Sequence, residues 1–142
     1  MDGCTPPEPL GPRKAVDWAY TPTSISVHPL SRFRNPRAED EKSTIVVHVE
    51  FLDGDGFACR GVGKLRINII TIQDELIAFK LVDLENPDDN RNSFDYVTRT
   101  YRVLFDPLEG NFNRVNIEAI FHAESTDPYR SELFTIVNHA NE

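Results

Sequence analysis

Five aspartates offer the hard oxygen atoms that a calcium ion prefers. Asp53 and Asp55 alternate with glycine in Asp53-Gly54-Asp55-Gly56, and Asp83, Asp88 and Asp89 follow in a second polar stretch. An EF-hand loop beginning at Asp53 would need oxygen donors at its fifth and twelfth positions, which here are Phe57 and Lys64. That motif is therefore excluded. Two acidic loops meeting at one end of a β-structure stay open as a Ca2+ site. The competing reading is a hairpin turn and a solvated loop. The four histidines (His28, His48, His122 and His139) include no pair at zinc-ligand spacing, and His48 and His122 take the outward phase of their strands. No Gly-x-Ser-x-Gly elbow is present, and Gly61-Val62-Gly63-Lys64 lacks the rest of a phosphate-binding loop. The chain therefore reads as non-enzymatic.

Arg32-Phe33-Arg34-Asn35-Pro36-Arg37 interleaves arginine with an aromatic ring, so Arg32, Phe33 and Arg34 are candidate contacts to a partner or an anionic surface. The acidic run Glu39-Asp40-Glu41 directly after it offers internal charge pairing as the alternative. Arg99 shares the phase of Val97 and Tyr101, which requires a carboxylate partner or a position at a strand end. The two cysteines differ in setting. Cys59, in Phe57-Ala58-Cys59-Arg60, reads as a small buried hydrophobe. Cys4 sits in a proline-rich stretch with no core-forming character, as an exposed thiol, a modified one or the partner of Cys59 in a disulfide that would tether this stretch.

The elements that must hold these residues follow from composition and periodicity. With 142 residues, 39% hydrophobic and 27% charged, the chain is a single globular domain. Its length lets it bury roughly two-thirds of its unfolded surface without staples. A net charge of −8 argues against nucleic-acid binding, and no apolar run approaches a membrane helix. Seven of the ten prolines fall in the first 36 residues, so residues 1–13 read as a semi-rigid tether and 14–142 as the domain.

Period-2 alternation then predicts strands throughout. It is seen at Val16, Trp18 and Tyr20, at Ile25 and Val27, and over 43–52, where Ile45, Val47, Val49 and Phe51 share a face. A short strand at 57–60 leads to glycines that mark a bend, and Leu65, Ile67 and Ile69 alternate with polar residues. Ile77, Phe79 and Leu81 form another inward face, as do Val97, Tyr101, Val103 and Phe105 along 95–105. Val115, Ile117, Ala119 and Phe121 line the next strand, and a last one falls around 131–138. Residues 30–42 and the stretch from Glu85 to Ser93 read as polar connections. No window carries a helical stripe. Seven to nine short strands at hairpin spacing predict an antiparallel β-sandwich, all-β, of transthyretin-like, C2-like or immunoglobulin-like type.

Gly3-Cys4-Thr5-Pro6-Pro7, Ile25-Ser26-Val27-His28-Pro29-Leu30 and the strand running into Asp53-Gly54-Asp55-Gly56 together resemble bacterial envelope lipoproteins whose mature part is a transthyretin-like or C2-like β-sandwich. The resemblance covers residues 4–8 and 23–70. It implies that Cys4 is the lipidated residue, that the protein sits in the cell envelope, lipid-anchored or secreted, and that its role is binding or structural. It supplies no catalytic residues. The expected partner is a protein or a second copy of the chain, met through an exposed strand edge, with membrane contact only through the lipid. The alternative is a Ca2+-dependent ligand- or carbohydrate-binding module using the acidic loops.

Overall fold

The computed structural model describes residues 21–35, 42–124 and 127–139. The proposed tether 1–13, Cys4 and the alternation at Val16, Trp18 and Tyr20 lie outside those residues. Among the described residues eleven strands form two antiparallel sheets packed face to face. In the first sheet β3 (Thr44–Leu52) is central. Along one of its edges β1 (Ser24–Val27) and β2 (Arg32–Arg34) lie end to end, pairing with Val49–Leu52 and with Thr44–Val46. Along the other edge run β4 (Ala58–Cys59) and β8 (Thr100–Phe105), and β7 (Phe94–Asp95) pairs with the start of β8. In the second sheet β9 (Arg114–His122) is central. It carries β10 (Tyr129–Arg130) and β11 (Phe134–Val137) end to end on one edge and β5 (Lys64–Ile70) on the other, with β6 (Leu76–Asp83) outside β5.

The all-β sandwich expected from the alternation is the observed fold. Ile45, Val47, Val49 and Phe51 meet Val115, Ile117, Ala119 and Phe121 across the core, as the period-2 pattern requires. An aromatic cluster closes one end of it. Phe51 lies edge-on to Tyr101 at 5.3 Å and to Phe121 at 4.7 Å, and Phe94 lies edge-on to Tyr101 at 5.1 Å. Gly63 is required by close packing. A Cβ there would stand 2.6 Å from the His122 carbonyl oxygen and 2.8 Å from the Phe121 ring.

Several expectations need correction. The strand count among the described residues rises to eleven because β2, β7 and β10, each only two or three residues long, add to those expected, whereas β4 is the short strand expected at 57–60. One of them, β2, lies inside the supposed connection 30–42. The polar stretch from Glu85 to Ser93 holds a short helix, α1 (Pro87–Ser93). The Asn86 side chain accepts hydrogen bonds from the Asp88 and Asp89 amides at 3.0 and 3.2 Å, Pro87 opens the first turn, and both aspartates lie near the positive end of the helix. The single buried residue of the helix is Asn90, so no apolar stripe announces it.

The faces of β6 are also inverted. A register shift at Ile69/Ile70 sets Leu65, Ile67 and Ile69 opposite Val82, Lys80 and Ala78, so Phe79 and Leu81 turn outward, 50% and 67% exposed. Val97 is not on a strand at all. It projects from the turn between β7 and β8, 92% exposed. Arg99 closes that turn at φ 59° and donates to the Ala58 carbonyl at 3.1 Å, which makes it a strand-end residue.

Candidate functional site

The two long sides of the sandwich are built differently. On one, β1 packs over β9 and β10, and β2 approaches β11, so the sheets are joined. On the other, β6 and most of β8 have no outer partner among the described residues. Between them runs a groove of about 710 Å3, whose walls include Lys80 and Val82 of β6, Phe94 and Asp95 of β7, and Arg102 and Leu104 of β8. Lys80 occupies the inward phase of its edge strand. Its ammonium reaches across the gap to donate to the Leu104 carbonyl and lies 5.7 Å from the Phe105 ring centre. An inward charge on an edge strand is a common device against uncontrolled edge-to-edge pairing.

Helix α1 closes one end of the groove and is held by a single side chain. The Asn90 amide donates to the Gly61 carbonyl at 2.6 Å and to the Leu84 carbonyl at 2.8 Å. Its oxygen accepts from the Tyr101 hydroxyl at 2.8 Å and from the Arg60 guanidinium at 2.7 and 3.1 Å. The Tyr101 hydroxyl in turn accepts from the Gly61 amide at 3.0 Å. Burial raises the Tyr101 phenol above its usual range, against the opposing pull of these hydrogen bonds. Every polar atom of the hub is satisfied, which makes it a structural clamp.

A second polar chain lies on the outer face of the first sheet. His48 Nδ1 is 2.8 Å from the Thr100 hydroxyl, which is 2.7 Å from the Thr98 hydroxyl. His48 was expected to be exposed because it takes the outward phase of β3, yet it is only 4% exposed. The reason is local. The β1–β2 link folds over the strand there, with the Ser31 hydroxyl accepting from the His48 amide at 2.8 Å and the His28 amide donating to the His48 carbonyl at 2.7 Å. Burial first, then the positive charges of Arg102 and Arg32, lower the His48 pKa from 6.5, while Asp95 opposes them. Backbone N–H groups of Val97 and Thr98 hold the Asp95 carboxyl below its ordinary range. The imidazole is neutral near pH 7. Although Thr100 stands beside a histidine, it is fully buried and cannot meet a substrate.

The aspartates singled out from the sequence are not gathered. Asp53 is buried, and its Oδ1 accepts from the Asp55 and Phe57 amides at 2.9 and 3.0 Å to shape the hairpin turn. Asp83 is bonded to Lys64 at 3.0 Å, which holds its carboxyl below the usual range. Asp88 pairs with Arg91 at 3.2 Å, and Asp55 and Asp89 are exposed. Among the described residues no three His, Cys, Asp or Glu side chains stand close enough together to hold a metal ion.

Arg32 and Phe33, by contrast, line a second groove, of about 400 Å3, facing Phe134–Val137 of β11, and Arg34 is exposed beside it. The Cys59 thiol is free and packs partly against the core, and burial pushes its pKa up to about 11. His122 and His139 are exposed. Sequence reasoning missed Lys80, Asn90 and Tyr101, whose roles depend on which strands become neighbours. The Asn86-Pro87-Asp88-Asp89 capping pattern was the one available signal for α1.

No protein family matches the chain, and neither a curated protein nor a solved structure is similar to it.

Proposed function

We propose that this chain is a non-enzymatic binding or assembly module of a bacterial cell envelope, held to the membrane by a lipid on Cys4, and that its partner adds to the open side of the sandwich. The observation that carries the reading is the pair of edges, β6 and most of β8, that have no outer partner among the described residues and flank one groove. Edge strand β6 spans eight residues without proline or glycine and exposes Leu76, Phe79 and Leu81. A strand of that length and character offers main-chain hydrogen bonds for affinity and side-chain pockets for specificity. The envelope location and the anchor are supported by the Gly3-Cys4 junction and the proline-rich segment after it.

Two experiments test the reading. A photo-crosslinking residue at Leu81 is expected to capture a discrete partner in cells, whereas the same residue at Glu109, in the β8–β9 turn, captures none. Equal labelling from both positions would overturn edge docking. Mass spectrometry of protein recovered from native membranes is expected to show a diacylglyceryl group on Cys4. An unmodified cysteine there would remove the anchor.

A further inference from the structure

A chain of net charge −8 nevertheless assembles three arginines on one sheet face. Arg32 and Arg34 alternate on β2, where the register sets them opposite Val46 and Thr44. Arg102 on β8 stands opposite His48, which shares the outward phase of Val46. All three arginines are exposed, and none is ion-paired with a described carboxylate. Arg32 gives one N–H to the Leu30 carbonyl at 3.0 Å and keeps its others. Between Arg32 and Arg102 lies His48, buried to 4% exposure with Nδ1 on the Thr100 hydroxyl. Its Nε2 has no hydrogen-bond partner among the described residues. A buried polar atom with no partner among the described residues calls for an explanation.

We propose that this face binds an acidic segment of a protein partner, with carboxylates held by Arg102 and Arg32 and with His48 Nε2–H donating between them. Charge complementarity selects the occupant. Guanidinium groups match carboxylates in a planar, two-pronged geometry, and an acidic protein otherwise repels such a segment. The proposal is independent of strand addition at β6 and of the lipid on Cys4.

Protonation follows from the arrangement. Arg102 on β8, Arg32 on β2 and His28 in the β1–β2 link disfavour the imidazolium, and Asp95 on β7 favours it. Glu50 occupies the next outward position of β3. A bound carboxylate adds to the favouring side, so His48 takes up a proton more readily in the complex. By linkage, binding tightens as pH falls through the His48 titration range below 6.5.

The test titrates the full chain with an end-capped penta-glutamate peptide at low ionic strength, following the His48 ring by NMR and affinity by calorimetry. Saturable binding is expected, with an upward shift of the His48 titration and tighter binding at pH 6 than at pH 8. Arg102→Gln and Arg32→Gln each weaken it by about fivefold. Arg91→Gln, on α1, leaves it unchanged. Failure to saturate at pH 6 overturns the proposal. So does a loss in Arg91→Gln equal to that in Arg102→Gln, which marks diffuse attraction. Inorganic phosphate binding as tightly as the peptide would also overturn it, since the site would then read a single small anion. Crosslinking at Leu81 is blind to all these outcomes, so the two readings fail separately.

Discussion

The two long sides of this sandwich solve the same problem in opposite ways. Where β1 and β2 face β10 and β11, both edge strands are broken into two short pieces, and the sheets come into contact, with the smaller groove left between β2 and β11. The breaks let each edge bend toward the other sheet, and they shorten any template for another chain. The other side keeps β6 long and unbroken, and one ammonium spans the gap where strands might have met. Closure on the first side rests on apolar packing, whereas the second rests on a few polar contacts and a helix hung from one asparagine. A binding surface belongs on the side whose structure can be disturbed without loss of the core.

The contrast can be broken by mutation. The largest effect is expected on the joined side, where Ile136→Ala removes a core side chain and costs about 3 kcal/mol in urea denaturation. The half-buried Val82→Ala in the groove wall should cost about 1 kcal/mol. Equal losses would erase the distinction between the two sides. Between these in size is Asn90→Ala, which strips the clamp of α1 and leaves the Tyr101 hydroxyl only its longer contact to the Gly61 carbonyl at 3.3 Å, costing about 2 kcal/mol. Hydrogen exchange should then show the amides of α1 opening well before those of β5 and β9.

A smaller effect follows from pH. The folded state lowers the His48 pKa below 6.5, so this residue's contribution is present above 6.5 and is lost as pH falls through the folded value. His48→Gln should flatten the decline of thermal stability in that window. Lys80→Met is expected to change stability by about 0.5 kcal/mol or less, because its stem still covers Phe105. Light scattering should nevertheless reveal self-association once the inward charge is gone, and a monodisperse variant would show that Lys80 does not guard the edge. Least of all, millimolar Ca2+ should leave the melting temperature where EDTA leaves it. A shift that EDTA reverses would bring the aspartate loops back into consideration.

The parts of this architecture legible in the sequence are those set by local alternation. The strands around Val47 and Ile117 announce their buried faces because each residue's side is fixed by its parity. Parity failed in β6, where one register shift at Ile69/Ile70 moved Phe79 and Leu81 to the outside. It failed again at Val97, because a tight turn ends β7 after only two residues. The groove was illegible for a different reason. Whether a strand lies at an edge depends on which distant strands pair, and no spacing within residues 76–83 records that. Arg32 stood out by composition, while Arg102 and His48 join it only through the register of β2, β3 and β8.

Helix α1 meets the rest of the molecule through Asn90, and that mode of attachment bears on how such a protein can change over generations. A helix seated by an apolar stripe ties half its surface to the core. This one ties a single position, so an exposed residue such as Asn92 can change in size and charge at little cost to folding. The mouth of the groove can therefore acquire new preferences by point substitution while the sandwich beneath it stays the same.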